Sequence, residues 1–378
     1  MARISILGAG KIGRTIAKLA ARTGDFEVRI LDSDPVAVAR VESKVPEARA
    51  VRVDATDRAA LSREVAGSDA ILSALSYHHN PTVAELAADV GASYFDLTED
   101  VETTKRVRAI AERARPGQIF MPQCGLAPGF VSVAAYDLCR HFDSLHAVRM
   151  RVGALPQFPT NALKYNLTWS TDGLINEYGN PCDAIVGGRR REVLPLEGLE
   201  HFSMDGVRYE AFNTSGGLGT LCETLDGQVE TLDYKTVRYA GHRDLAAFLM
   251  NELRLNGRRE LLKDILEHAV PVTFQDVVIV FCAVSGQRQG QFAQIVDARK
   301  IYNQTIDGEN WSAIQITTAA GAVAMMDLHF GGRLPSRGFV KQEEVTLEAF
   351  LGNRFGQVYR TTTTLDLRPE PGAREAAE

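Results

Sequence analysis

The chain has few cysteines and no arrangement of them that chemistry would reward. Cys124, Cys139, Cys182, Cys222 and Cys282 are odd in number, far apart and never in a CxxC pair. That excludes a disulfide framework and a zinc ribbon, and it fits a reducing compartment. No apolar run is long enough to span a bilayer. There is no excess of positive charge, since 42 Lys and Arg face 48 Asp and Glu for a net charge of −6. A nucleic-acid binder would show a basic stripe, and a protein held by anionic lipid would show a basic cluster. The start, Met1-Ala2-Arg3-Ile4, lacks the charged and apolar regions of a secretory signal, so a cytoplasmic protein is expected. His78, His79, His141 and His146 have no i,i+4 partner with a carboxylate beside it, so no metal site is expected.

What is present is the balance of a globular protein, 45% hydrophobic and 24% charged over 378 residues. That length corresponds to two domains or one large one. The first third alternates between two periods. Strand-like runs at 3–7, 28–31, 50–54, 69–75, 93–97 and 118–122 are separated by helical patterns at 12–20, 36–44, 60–66, 81–90 and 101–113. This alternation predicts an α/β fold of the Rossmann type, a doubly wound parallel sheet with right-handed crossovers.

The strongest motif is Gly8-Ala9-Gly10-Lys11-Ile12-Gly13, placed after the first strand and opening the first helix. Gly8 permits the tight turn, Gly10 lets backbone approach a pyrophosphate, and Gly13 lets helix and strand pack closely. The helix N-terminus, with Lys11 and Ile12, offers unpaired N–H groups to phosphate. The plainer alternative is a glycine turn that only shapes a βα corner. Asp32 ends the second strand, nineteen residues beyond Gly13, where a carboxylate accepts the ribose hydroxyls of the adenosine half. Ser33, Asp34 and Pro35 supply no Arg for a 2′-phosphate, so NAD is favoured over NADP. Ligands in such sheets lie beyond the carboxyl ends of the strands, where Asp54, Ser76, Tyr77, Asp96 and Cys124 fall. Asp54 is either beside the adenine or a helix N-cap.

The alternation stops after residue 122. A helix begins near Pro128, strand-like runs follow at 145–152, 184–186, 207–212, 228–237, 277–284 and 291–301, and glycine turns join several of them. Helices are expected at 174–178, 245–268 and 317–326, and Arg189-Arg190-Arg191 as a solvated hairpin loop. The reading is a dinucleotide domain at 1–127 followed by an α+β domain with a mixed or antiparallel sheet at 128–316. A disordered tail is expected at 368–378, and a substrate cleft between the domains.

Several stretches together resemble the saccharopine reductase and lysine 6-dehydrogenase group of NAD(P)-dependent dehydrogenases. They are the glycine motif, Cys124-Gly125-Leu126-Ala127-Pro128-Gly129, Leu163-Lys164-Tyr165-Asn166-Leu167-Thr168-Trp169-Ser170, Leu174-Ile175-Asn176-Glu177-Tyr178, Glu210-Ala211-Phe212-Asn213-Thr214-Ser215-Gly216-Gly217 and Thr236-Val237-Arg238-Tyr239-Ala240-Gly241-His242. Ala240 stands where proline is expected in the last run. The resemblance implies a second domain for substrate binding and dimerisation, hence a homodimer, with 317–345 packing back on the first domain, and chemistry at the C–N bond of the lysine ε-carbon. Its neighbours are carboxynorspermidine or homospermidine synthase-like condensations. A non-catalytic NAD sensor is the rival from another class.

Such chemistry asks for a carboxylate clamp and a group that takes a proton from the departing ammonium. Arg238 is either that clamp or a partner of Glu177 or Asp233, and His242 either titrates near neutrality or caps a helix. Tyr77, Asp96 and Cys124 are the other catalytic candidates, although Cys124 is equally a small buried hydrophobe and Asp96 a buried, hydrogen-bonded carboxylate. Tyr165, Ser170, Glu177, Thr214, Ser215 and Lys235 are candidate binders of an amino-acid substrate.

Overall fold

A computed structural model describes residues 1–306 and 308–360. The predicted tail at 368–378 lies outside them. The first six strands are β1 (Ala2–Leu7), β2 (Phe26–Asp32), β3 (Arg49–Arg52), β4 (Ala70–Ser73), β5 (Ser93–Asp96) and β6 (Ile119–Met121). Between them run α1 (Lys11–Ala21), α2 (Pro35–Lys44), α3 (Arg58–Val65), α4 (Asn80–Val90) and α5 (Val101–Ala111). The strands pair in parallel in the order β6-β5-β4-β1-β2-β3. Helices on both faces cover these strands, so every residue of β4, β5 and β6 is buried. Three of the helices start where expected chemistry starts them, with Asp34, Asp57 and Asp100 accepting first-turn N–H groups.

The next elements are α6 (Phe130–Cys139), β7 (Ser144–Pro156), α7 (Thr171–Gly179), β8 (Cys182–Val186), β9 (Arg189–Val193), β10 (Glu200–Met204) and β11 (Val207–Asn213). Then come α8 (Leu221–Thr224), β12 (Thr231–Tyr239), α9 (His242–Ala247), α10 (Arg259–Ala269), β13 (Asp276–Arg288) and β14 (Gln291–Tyr302). They form a second, mixed sheet in the order β10-β11-β12-β7-β13-β14, with β8 and β9 attached beside β12. Only β12 and β7 are parallel in it. A short hairpin, β15 (Gln304–Ile306) and β16 (Glu309–Trp311), precedes α11 (Ala313–Phe330).

Two expectations need correction. Arg189, Arg190 and Arg191 are not loop but the body of β9, an exposed edge strand that pairs with β8. Charged side chains on such an edge discourage pairing with another chain. The expected helix at 245–268 is broken: α9 passes into a turn of π-helix (Phe248–Glu252), and Arg254 takes a left-handed conformation, φ 56°, before α10 begins.

α11 joins the two halves. Its N-terminus is held by the second sheet, where the buried Asp276 carboxylate at the start of β13 accepts the N–H groups of Ala313 and Ile314. Its run of small residues then lies against α1 and the loop after β6. A methyl group at Gly321 would fall 2.9 Å from the Cys124 and Gly125 carbonyls, so only glycine permits that approach. After the helix, β17 (Gly338–Phe339) adds a seventh parallel strand beside β6.

Candidate active site

The carboxyl ends of β1, β4 and β5 face the second sheet across a cleft of about 1150 Å³, counted to the open solvent. The glycine loop forms its amino-terminal corner. Gly8 has φ +100°, and a Cβ there would lie 2.8 Å from the Ala74 carbonyl. A Cβ at Gly13 would fall 1.8 Å from the Gly8 carbonyl, whereas the space in front of Gly10 is open. Gly10 caps α1 without a side chain, so the first N–H groups of the helix stay available for an anion. This cradle fits the pyrophosphate of a dinucleotide, with Lys11 and Ile12 on the first turn.

A second cavity, about 540 Å³, opens at the ends of β1, β2 and β3, and Leu75 borders both spaces. Asp32 lines it, its carboxylate accepting the N–H groups of Ala9 (2.6 Å) and Asp34 (2.9 Å) and so tying β2 to the glycine loop. Asp54 lines it too, and accepts both the N–H and the hydroxyl of Thr56 at 2.8 Å. Those bonds hold the Asp54 carboxyl below its ordinary range. Asp54 is not the helix N-cap of its second alternative, because Asp57 caps α3; it closes the turn before that helix and borders the cavity.

The opposite wall is made by β12, β7 and α7. Tyr234, Thr236 and Arg238 line the cleft, alternate residues of one strand. Arg238 is 3% exposed, and among the described residues no carboxylate pairs with it within 4 Å. Asp233, one of its two expected partners, is bound by Arg151 instead. Arg238 Nε donates to the Tyr178 hydroxyl at 2.8 Å and Nη1 to the Val237 carbonyl, while the guanidinium lies over the rings of Tyr165 and Tyr178. The guanidinium is thus fixed at one side and directed into the cleft.

Glu177 also lines this wall, 7% exposed, and its carboxylate has no hydrogen-bond or ion-pair partner among the described residues. Burial pushes its carboxyl up to about 8, against the pull of Arg238, and Glu99 across the cleft adds to the rise. Glu99 follows β5, accepts from the Asn176 side chain, and is likewise raised by burial. Ser76, Tyr77 and Ser170 line the cleft as well; burial raises the Tyr77 hydroxyl, and Ser170 caps α7 by accepting the Gly173 N–H.

Other candidates are placed elsewhere. Asp96 is fully buried behind the cleft, accepting from the Tyr94 hydroxyl (2.7 Å), Thr98 N–H and Gln123 N–H (both 2.9 Å). Burial raises it to about 6, but three donors engage its oxygens, so it latches β5 to the loop after β6 rather than touching substrate. Cys124 is fully buried, its thiol donating to the Met121 carbonyl at 3.0 Å and held protonated by burial. His242 lies behind Arg238, and burial with that neighbouring charge lowers it to about 3. Its Nδ1 must donate to the Leu163 carbonyl (2.7 Å), so Nε2 accepts from Tyr178, whose oxygen in turn accepts from Arg238. His242 is therefore a positioning residue, not an acid or base at neutral pH.

Lys235 points away from Arg238 on the same strand and is held by the Gly198 carbonyl and Glu200. Tyr165 is buried beneath Arg238 and accepts from Trp169 Nε1. Ser215 ties the end of α7 by donating to the Asn176 carbonyl, and Thr214 is buried beside it with an unpartnered hydroxyl. Glu99 and Trp169 are cleft residues the sequence reading did not select. Glu99 stands three residues past the Asp96 that was selected, so the strand-end rule extended by one turn finds it.

Two family models cover nearly the whole chain: the saccharopine dehydrogenase NADP binding domain matches residues 4–121, and the saccharopine dehydrogenase C-terminal domain matches residues 125–355. The chain is 24% identical over 265 residues to the saccharopine dehydrogenase [NADP(+), L-glutamate-forming] of Saccharomyces cerevisiae, covering 66% of this chain and 57% of that protein. It is 21% identical over 254 residues to its counterpart in Schizosaccharomyces pombe, covering 64% and 55%. It therefore spans a little over half the length of the curated relatives it matches. The structure superimposes on apo saccharopine dehydrogenase (L-Glu forming) from Saccharomyces cerevisiae with a TM-score of 0.76 at 15% identity, covering 95% of this chain and 96% of that one. A parallel dinucleotide sheet, a mixed second sheet and both domain models in the same order lead to one conclusion: the chain belongs to the saccharopine dehydrogenase family.

Proposed function

We propose that this protein is a nicotinamide-dependent dehydrogenase that oxidises the C–N bond of an amino-acid-derived amine, in the manner of a lysine or saccharopine dehydrogenase. The observation that carries this reading is the buried Arg238, with no carboxylate partner among the described residues, in one cleft with Ile12 of a glycine loop shaped for pyrophosphate. Gly8, Gly10, Lys11, Ile12 and Gly13 would hold the diphosphate, and Asp32 the adenosine ribose. When bound, the nicotinamide supplies a hydride acceptor for the carbon that carries the nitrogen.

Arg238 holds the substrate carboxylate, kept in orientation by Tyr178 and His242. Glu177, raised to about 8, accepts the proton that the substrate ammonium must lose before a C=N bond can form. Tyr77 and Trp169 wall the cleft and exclude water around these charges.

NAD is the preferred cofactor on this reading, because the Asp32 carboxylate repels a 2′-phosphate. The family model and both curated relatives carry NADP in their names, and one residue could reverse the preference. Arg52, register partner of Asp32, donates from Nε to the Ser33 carbonyl at 3.3 Å, beside the expected ribose. The test is reduction of NAD and of NADP by lysine, saccharopine and polyamines at mildly alkaline pH. Asp32→Ala should weaken NAD roughly 10-fold or more, the worth of charged hydrogen bonds. Unchanged NAD affinity would remove Asp32 from the cofactor site. Silence with every amine would favour the sensor, and cofactor oxidation only with an amine plus an aldehyde would favour a synthase.

A further inference from the structure

The cleft has an unequal charge inventory. Arg238 is the only Lys or Arg among the described residues that line it, against the carboxylates of Glu99, Asp172 and Glu177. Asp172 is answered from outside by Lys263 Nζ at 2.7 Å. Among the described residues no cation answers Glu99 or Glu177 within 4 Å. Glu177 is the sharper case, because it is more than nine-tenths buried and, among the described residues, has neither a hydrogen-bond donor nor an ion-pair partner. A buried carboxylate left this way destabilises the fold unless a ligand brings the missing positive charge.

The two acids reach the cleft from different domains. Glu177 comes from α7, whose end is held by Asn256 and Ser215. Glu99 comes from the loop after β5, pressed against Gly216, where φ is +86° and a Cβ would lie 2.6 Å from the Glu99 carbonyl. Asn176, the residue before Glu177 on α7, brings its side chain to Glu99. A substrate between the two acids meets two carboxyl groups, which an ammonium would help to ionise, and a single guanidinium.

We infer that the cleft is built for a cationic amine bearing at most one carboxylate, held by Arg238, with Glu99 and Glu177 facing its ammonium groups. A secondary amine with three carboxylates, such as saccharopine, is therefore disfavoured. This rests on the proposed dehydrogenase reading and narrows its substrate class. Glu99 becomes a specificity-determining residue that neither the sequence motifs nor the relatives' names assign.

The test compares kcat/KM for lysine, 1,5-diaminopentane and saccharopine at saturating cofactor, in the unmodified protein and in Glu99→Gln and Glu177→Gln. The expected result is that lysine exceeds saccharopine by on the order of 100-fold, the cost of an unpaired carboxylate in such a site. Glu99→Gln should raise KM for lysine and for the diamine about 10-fold while sparing kcat, and should narrow the gap to saccharopine. A preference for saccharopine, or an unchanged KM for lysine in Glu99→Gln, overturns the inference and leaves the dehydrogenase reading standing. If no amine reduces the cofactor, the dehydrogenase reading falls instead, and calorimetry decides the charge argument separately. In that case lysine binding weakened by Glu99→Gln supports it, and binding that is absent or insensitive to the change overturns it.

Discussion

At the amino-terminal wall of the cleft the groups facing the ligand are backbone: helix N–H groups, open space before Gly10, and a turn at Gly8 that no side chain would fit. At the opposite wall they are buried ionisable side chains, Glu177 and Arg238, the latter held against the rings of Tyr165 and Tyr178. Backbone N–H groups at a helix start can turn to water when no ligand is bound, whereas buried ionisable side chains without partners are costly to stability. On the proposed function, the first wall would serve many reactions unchanged and the second would carry the specificity.

The largest effect that would sharpen this contrast is at the glycine loop. Gly13→Ala places a methyl group 1.8 Å from the Gly8 carbonyl, and cofactor affinity measured by calorimetry should fall on the order of 100-fold. A normal affinity would mean that the loop does not form the cradle. On the other wall, Arg238→Ala should raise the substrate KM on the order of 100-fold and leave cofactor affinity alone, since it removes one buried charge from a ligand pair. Equal effects on both ligands would reassign Arg238 to the scaffold.

A smaller effect concerns stability without ligand. Glu177 has a folded pKa of about 8 against 4.5 in the unfolded chain, so its ionisation favours unfolding as pH rises between those values. Glu177→Gln should leave the protein equally stable near pH 4 and raise its stability by about 1–3 kcal/mol at pH 8, read from urea midpoints. A loss of stability at pH 8 would show that the carboxylate is structurally partnered. The smallest effect is at Cys124. Cys124→Ser should cost about 1 kcal/mol and leave the shape of the pH–rate profile unchanged. A moved alkaline limb would make the thiol a titrating participant.

The parallel sheet was legible because six strand-like runs alternate with five helical patterns, and its glycine loop because sterics allow nothing but glycine at Gly8 and Gly13. β9 was not legible: three consecutive arginines read as solvent, and only pairing with β8 makes them a strand. In the second wall, proximity in sequence misled. Lys235 and Arg238 sit three residues apart on β12, an odd spacing that puts them on opposite faces, so the period of the strand separates what the motif groups together. His242 was singled out by residue type, yet its work depends on Leu163 and Tyr178, which are distant in the chain. Asp96 ends β5 and Cys124 falls in the loop three residues beyond β6, and both side chains face the core, an orientation that position along the chain does not reveal. Glu99 escaped because the strand-end search stopped one turn early.

The helix α11 is anchored in one half by the Asp276 carboxylate and lies along α1 in the other. A rod common to both halves makes them one thermal unit: neither sheet can melt while the other stays intact without stripping one side of this helix bare. The protein should therefore give up its structure in a single cooperative step, and damage at the far end of the rod should be felt at the coenzyme's end.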